Sequence, residues 1–304
     1  MSRKLCVFIS AAVALLVSLS VLFWVPRPGS QASTPNPAQS LGTGYERVMK
    51  TNKIRAGFVS YPPGSIVDPK TKEVSGIFPD ILRRIGKSTN LDVEFVEEVG
   101  WANLIEGLET GRFDIIGGVW ANPNRGKMAT VSEPVFFSGV GVWVREGETR
   151  FRPDNNWESL NNSEIRIGAI DGSTPLNIIK AQFPKAQLVT YPNLVTEPQL
   201  FVDLATNKID VFLAEPAQGI LYQRSNPQTV QNIAQDRPLR IFGHVFLMKR
   251  GEFQFKNMID TALADLQGSG VVDQLLKQYE PAPGSFYRRE AGYLIEFDIG
   301  RGGQ

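Results

Sequence analysis

The chain has 304 residues, 42% of them hydrophobic and 21% charged, which is enough for one large or two medium hydrophobic cores. Its formal charge is +1, but Arg3, Lys4 and Arg27 fall in the first 32 residues beside no acid, so the remainder carries 29 basic against 31 acidic side chains and is poorly suited to nucleic acid. Cys6 is the only cysteine, which excludes disulfides, thiol catalysis and cysteine metal sites from the body; no cofactor and no metal are expected.

Arg3 and Lys4 precede an apolar run over residues 5–25 that closes at Pro26-Arg27-Pro28. Two readings stay open: a signal peptide cleaved near Ser30-Gln31-Ala32, or an uncleaved anchor, since 21 apolar residues can span a bilayer. Both place the body in the periplasm or an equivalent extracytoplasmic space, touching membrane only through this segment if it persists. Residues 26–44 read as a linker.

From residue 54 the pattern alternates. An apolar run over 54–59 ends at Tyr61-Pro62-Pro63-Gly64; Phe78, Ile81, Leu82 and Ile85 recur at helical spacing; Leu91, Val93 and Phe95 alternate as in a strand. Trp101, Leu104, Ile105 and Leu108 mark a second helix, and residues 113–119 a third strand. The order then repeats as strand 165–170, helix 176–183, strand 188–191, helix 198–204 and strand 209–213. Leu108-Glu109-Thr110-Gly111-Arg112-Phe113-Asp114 matches Leu204-Ala205-Thr206-Asn207-Lys208-Ile209-Asp210 in its Leu, Thr, basic, apolar and Asp positions, with Gly111 and Asn207 where helices often end in a left-handed turn. Extended runs at 136–144 and 239–248 link the halves, and helices at 255–266 and 271–279 close the first. His244, the sole histidine, sits in the second run among apolar neighbours and is expected to be structural.

The fold class that follows is α/β, with two lobes, each a mostly parallel sheet with covering helices, and two hinge crossings. The expected boundaries are 1–25 for the signal or anchor, 26–44 for the linker, 45–138 with 245–280 for a discontinuous first lobe, 139–244 for the second, and 281–304 for a loosely attached tail.

Ligands of open α/β sheets bind beyond the carboxyl ends of strands, which singles out four places. After the third strand and its Gly117-Gly118 pair, Asn122 can cap a short helix starting at Pro123, and Arg125 offers a two-pronged fork for a carboxylate. A surface Arg in a capped turn fits the spacing equally. In Asp171-Gly172-Ser173-Thr174-Pro175, Thr174 is the expected cap and Pro175 the first helical residue; a plain helix start is again the alternative. Glu215, at a strand end among apolar neighbours, should need a cationic partner, or else simply starts a helix. Tyr61 and Trp101 either sandwich a ligand stem or pack in the core.

Tyr61-Pro62-Pro63, Ser75-Gly76-Ile77-Phe78-Pro79-Asp80-Ile81, Gly100-Trp101, residues 108–114, Arg125 followed by Ser132-Glu133-Pro134, Gly172-Ser173-Thr174, residues 207–210 and residues 268–279 follow one another along the chain. In order and spacing together they resemble the polar amino-acid (family 3) solute-binding proteins of ABC importers, with the type II periplasmic binding fold. The resemblance spans about residues 45–280. It implies a small amino-acid-like ligand whose carboxylate meets Arg125 and the loop at Ser173 and Thr174, whose ammonium meets Glu215, and whose body lies against Tyr61, Trp101, Gly118 and Trp120. It implies also a monomer that closes about its hinge and is recognised by ABC permease subunits. Asn122 replaces a usual Thr, Trp120 a small hydroxylated residue, and one residue is missing between Asp114 and Arg125. Phe58, Ile170 and Trp120 point to a more apolar pocket than that of a glutamine or arginine binder. Two rival readings are a cyclic carboxylic acid dehydratase on the same fold, with Glu215 as general acid or base, and a membrane-tethered sensor.

Overall fold

Strand β1 (Lys53–Phe58) is followed by a small antiparallel pair, β2 (Ile66–Val67) and β3 (Val74–Ser75), and itself pairs in parallel with β4 (Asp92–Glu98) on one side and β5 (Ile115–Trp120) on the other; β5 is flanked by antiparallel β13 (Ile241–Lys249). β6 (Ala129–Val131) completes the order β4-β1-β5-β13-β6, with β7 (Phe136–Gly139) also on β13. This is a computed structural model, and it describes residues 43–151 and 157–288; the apolar leader, residues 26–42 of the linker and residues 289–304 of the tail lie outside the described residues. Among the described residues, no helix is long and apolar enough to cross a membrane.

The second sheet repeats the first. β9 (Arg166–Ile170) lies between parallel β10 (Gln187–Tyr191) and β11 (Val211–Ala214), and β8 (Gly141–Arg145) runs antiparallel beside β11, followed by β12 (Val230–Asn232). Both sheets therefore place three parallel strands in a 2-1-3 order beside one antiparallel strand that has come across from the other half. The repeated sequence signature has a physical counterpart. Asp114 accepts from Arg55 N at 2.8 Å and donates its own N–H to Arg55 O at 2.9 Å; Asp210 does the same with Arg166 at 3.0 and 2.8 Å. Each Asp thus ties its strand to the first strand of its sheet. Gly111 and Asn207 both have left-handed backbones, φ 70° and 64°.

Strand burial decides where the cores lie. β5 is buried along its whole length, as a central strand covered on both faces must be, and Ile81, Ile85, Phe246 and Leu263 pack with it. Val142, Ile167, Ile179 and Leu213 centre a separate core around the second sheet. The two crossings run side by side: Val140 N donates to Arg240 O at 2.8 Å and Leu239 N to Val140 O at 2.9 Å.

Residues 281–288 are not loose. Phe137 and Tyr287 exchange two backbone hydrogen bonds at 2.8 and 2.7 Å, adding a bridge on β7, and the buried Phe286 ring meets Phe136 edge-on at 4.9 Å. Arg288 pairs with Glu280 and Asp273, and Arg224 of the second half donates to Pro281 O. Pro281, Pro283 and Gly284 suggested a free end because local composition carries no trace of this long-range pairing.

Candidate functional site

In a 2-1-3 sheet the chain reverses its direction of winding between the first and third strands, and a crevice opens at their carboxyl ends. Here the two crevices are those of β1/β5 and β9/β11, and the loops leaving these four strands carry Tyr61, Arg125, Ser173 with Thr174, and Glu215. All eight residues singled out above, Trp101, Gly118 and Trp120 included, line one cleft with about 490 Å³ of atom-free space.

Arg125 sits where the short helix Pro123–Met128 begins. Asn122 Oδ1 accepts from its N–H at 3.0 Å, as the capping pattern predicts, and Pro123 takes the first position. Arg125 is 6% exposed, and its Nη1 donates to Trp120 O at 2.8 Å and to Thr174 Oγ1 at 3.0 Å. Among the described residues no acid pairs with it; burial lowers its pKa to about 10, which still leaves it charged at neutral pH. A cation so buried and lacking an anion is poised for one.

The cap of the facing helix, Thr174–Gln182, is Ser173 and not Thr174: the Ser173 backbone is extended, and its hydroxyl accepts from Leu176 N at 3.4 Å. Thr174 is freed by this shift of one residue, and its Oγ1 takes both Arg125 Nη1 and Asn122 Nδ2, the latter at 3.2 Å.

Glu215 immediately precedes the helix Pro216–Ser225, as its helix-start reading expects, and its side chain is buried. Oε1 lies 3.3 Å from His244 Nε2. The imidazole stacks on Phe136 at 4.3 Å, and its Nε2 also meets Trp120 Nε1 at 2.9 Å and Ser138 Oγ at 2.7 Å. Trp120 can only donate, so Nε2 accepts and Nδ1, buried without a partner, carries the ring proton. Burial holds the ring neutral, lowering its pKa to about 3, and raises that of Glu215 to about 8, with the charge of Glu197 adding to the rise. Glu215 is therefore largely protonated at neutral pH. The histidine is structural as expected, but what it supports is this acid.

Glu197 had no signal of its own. As the first residue of the helix Glu197–Ala205, followed by Pro198, it looks like any acid favoured by a helix dipole. It is 8% exposed, lines the cleft, accepts from Trp101 Nε1 at 3.3 Å, and is raised to about 7 by burial. The expected aromatic sandwich is absent: Tyr61 and Trp101 touch one another, centroids 5.3 Å apart and tilted by 57°, whereas a stem between two rings needs about 7 Å. They form one wall, fixed by Tyr61 Oη donating to Gly118 O at 2.7 Å. Gly118 has φ 82°, and a Cβ there would fall 2.2 Å from that oxygen. Phe58 lies outside the cleft, in a small recess with Phe78 and Phe95; Ile170 lines the cleft.

The halves meet across the opening. Besides the Arg125 and Trp101 bonds, Asn193 Nδ2 donates to Asn103 Oδ1 at 2.5 Å, and Gly172, with φ 74°, packs so tightly that a Cβ would stand 2.4 Å from the Ala102 backbone. This is a shut form.

Comparison with known proteins gives the same outline. The model of bacterial extracellular solute-binding proteins, family 3, matches residues 54–282. A probable amino-acid ABC transporter-binding protein from Haemophilus influenzae is 24% identical over 232 residues, 76% of this chain and 85% of that one. An ancestral amino-acid-binding protein, a precursor of cyclohexadienyl dehydratase, superposes with a TM-score of 0.68 at 22% identity, over 79% of this chain and all of its own. A binding component of an ABC transporter from Wolinella succinogenes, complexed with lysine, gives 0.67 at 23% identity, over 76% and 97% of the two chains.

Proposed function

The chain belongs to the bacterial extracellular solute-binding proteins, family 3, and from that premise we propose that it captures an amino acid outside the cytoplasm and delivers it to an ABC importer. One observation carries the reading: a buried arginine, with no acidic partner among the described residues, and a buried carboxyl group, supplied by opposite halves, line the same cleft. A zwitterion satisfies both, its carboxylate on Arg125 and its ammonium on Glu215. Pro175 has no N–H and Leu176 N is turned to Ser173, so the carboxylate depends more on the guanidinium than on the helix start. Ammonium binding requires Glu215 ionised, and capture therefore releases its proton.

Calorimetric titration with the twenty amino acids tests this. At least one should bind, and Arg125→Lys or Glu215→Gln should each weaken it by at least about thirtyfold, the lower range for breaking a buried charge pair. Undiminished binding in both variants would sink the proposal. The lysine-complexed relative and the H. influenzae protein support an amino-acid ligand. The dehydratase reading assigns Glu215 the role of general acid; incubation with cyclic carboxylic acids, followed by ultraviolet absorbance, should show no turnover.

A further inference from the structure

Resting on the amino-acid reading of the cleft, we propose that Glu197 is a second cation-binding group and that the preferred solute is a basic amino acid, with two cationic groups and one carboxylate. The charges lining the cleft do not cancel. Arg125 supplies one positive charge; Glu197 and Glu215 supply two negative ones when ionised; His244 faces Glu215 but is neutral. A neutral zwitterion would leave one buried negative charge uncompensated, or one acid obliged to keep its proton, whereas a solute of net charge +1 balances the set.

Glu197 is built as a receptor for such a group. It is more than nine-tenths buried, its carboxylate accepts from Trp101 Nε1 at 3.3 Å, and among the described residues no Lys or Arg pairs with it. The Tyr61 hydroxyl is committed to Gly118 O and cannot serve it. Its place at the first turn of a helix favours the ionised form once a cation arrives. The lining also includes Trp101, Trp120, Ile170 and Phe212, apolar surface that suits the methylene stem of a long basic side chain. Ile170 and Trp120 contribute apolar wall to the cleft, but, against the expectation of a pocket more apolar than an arginine binder's, that surface serves the stem and Glu197 its charged end.

The test is calorimetry of the full chain against lysine and arginine and their neutral analogues norleucine and citrulline. The basic member of one pair should bind at least about thirtyfold tighter than its analogue. Glu197→Gln should reduce that preference to a few-fold. Equal or tighter binding of norleucine or citrulline by the unmodified chain overturns the role of Glu197, and needs no variant to fold. In that case loss of norleucine binding in Arg125→Lys would still uphold amino-acid capture, so the two failures are told apart. A basic-side-chain preference that survives Glu197→Gln also overturns the assignment.

Discussion

Glu215, Glu197 and His244 share one buried neighbourhood, and their shifts set the pH response of the empty protein. The two acids, raised to about 8 and about 7, hold protons in the folded state that the unfolded chain has lost above about pH 4.5. Their contribution to stability is complete below that value and disappears as pH rises through 7 and 8. His244 works in the opposite direction: the unfolded ring takes a proton below about pH 6.5, the folded one only near 3, so its contribution is complete above 6.5 and is lost as pH falls. The unliganded melting temperature should therefore be higher at about pH 6 than at about pH 8.5, and Glu197→Gln with Glu215→Gln should flatten that decline in scanning calorimetry. Arg125 and Glu215 could be picked out because each follows a strand in a pattern of alternating elements. Glu197 could not, since the partner that marks it out, Trp101, lies 96 residues earlier in the chain and reaches it from the other half.

At the level of elements, the repeat of helix end, left-handed turn, apolar residue and Asp is legible because every part of it is local. Its outcome, an Asp tied to the first strand of its own sheet, appears twice. The cap at Ser173 was misplaced by one residue because Ser and Thr are almost equally good caps, and only the tertiary demand of Arg125 and Asn122 for an acceptor assigns Thr174 elsewhere. The segment 281–288 was missed for the same kind of reason, its partners lying 150 residues away at Phe136 and Phe137. Phe286, 2% exposed, is what anchors it. Phe286→Ala should cost about 3–5 kcal/mol in urea unfolding, the range for emptying a buried aromatic site. A loss under about 1 kcal/mol would mean that the segment contributes little to the fold.

For the whole molecule the critical dimension is how closely the halves approach. Two glycines set it: Gly172 against Ala102, and Gly100, where a Cβ would stand 2.6 Å from Asn193 O. Gly172→Ala meets both a left-handed backbone and the opposing chain, so it should hold the halves apart. Small-angle scattering should then show no contraction on adding a solute that contracts the unmodified protein, while each half stays folded by circular dichroism. The two-lobed architecture could be read from element order alone, but this clearance could not, because it belongs to no single segment.

Trp120 ends a strand of the first sheet, yet its ring packs in the core of the second and stacks on Phe242 at 5.2 Å, while Trp101 reaches across to Glu197. Opening must pull one indole out of its hydrocarbon surroundings and strip the other of its acceptor. The protein consequently carries an optical gauge of its own, in which solute capture can be followed by native fluorescence with no attached dye.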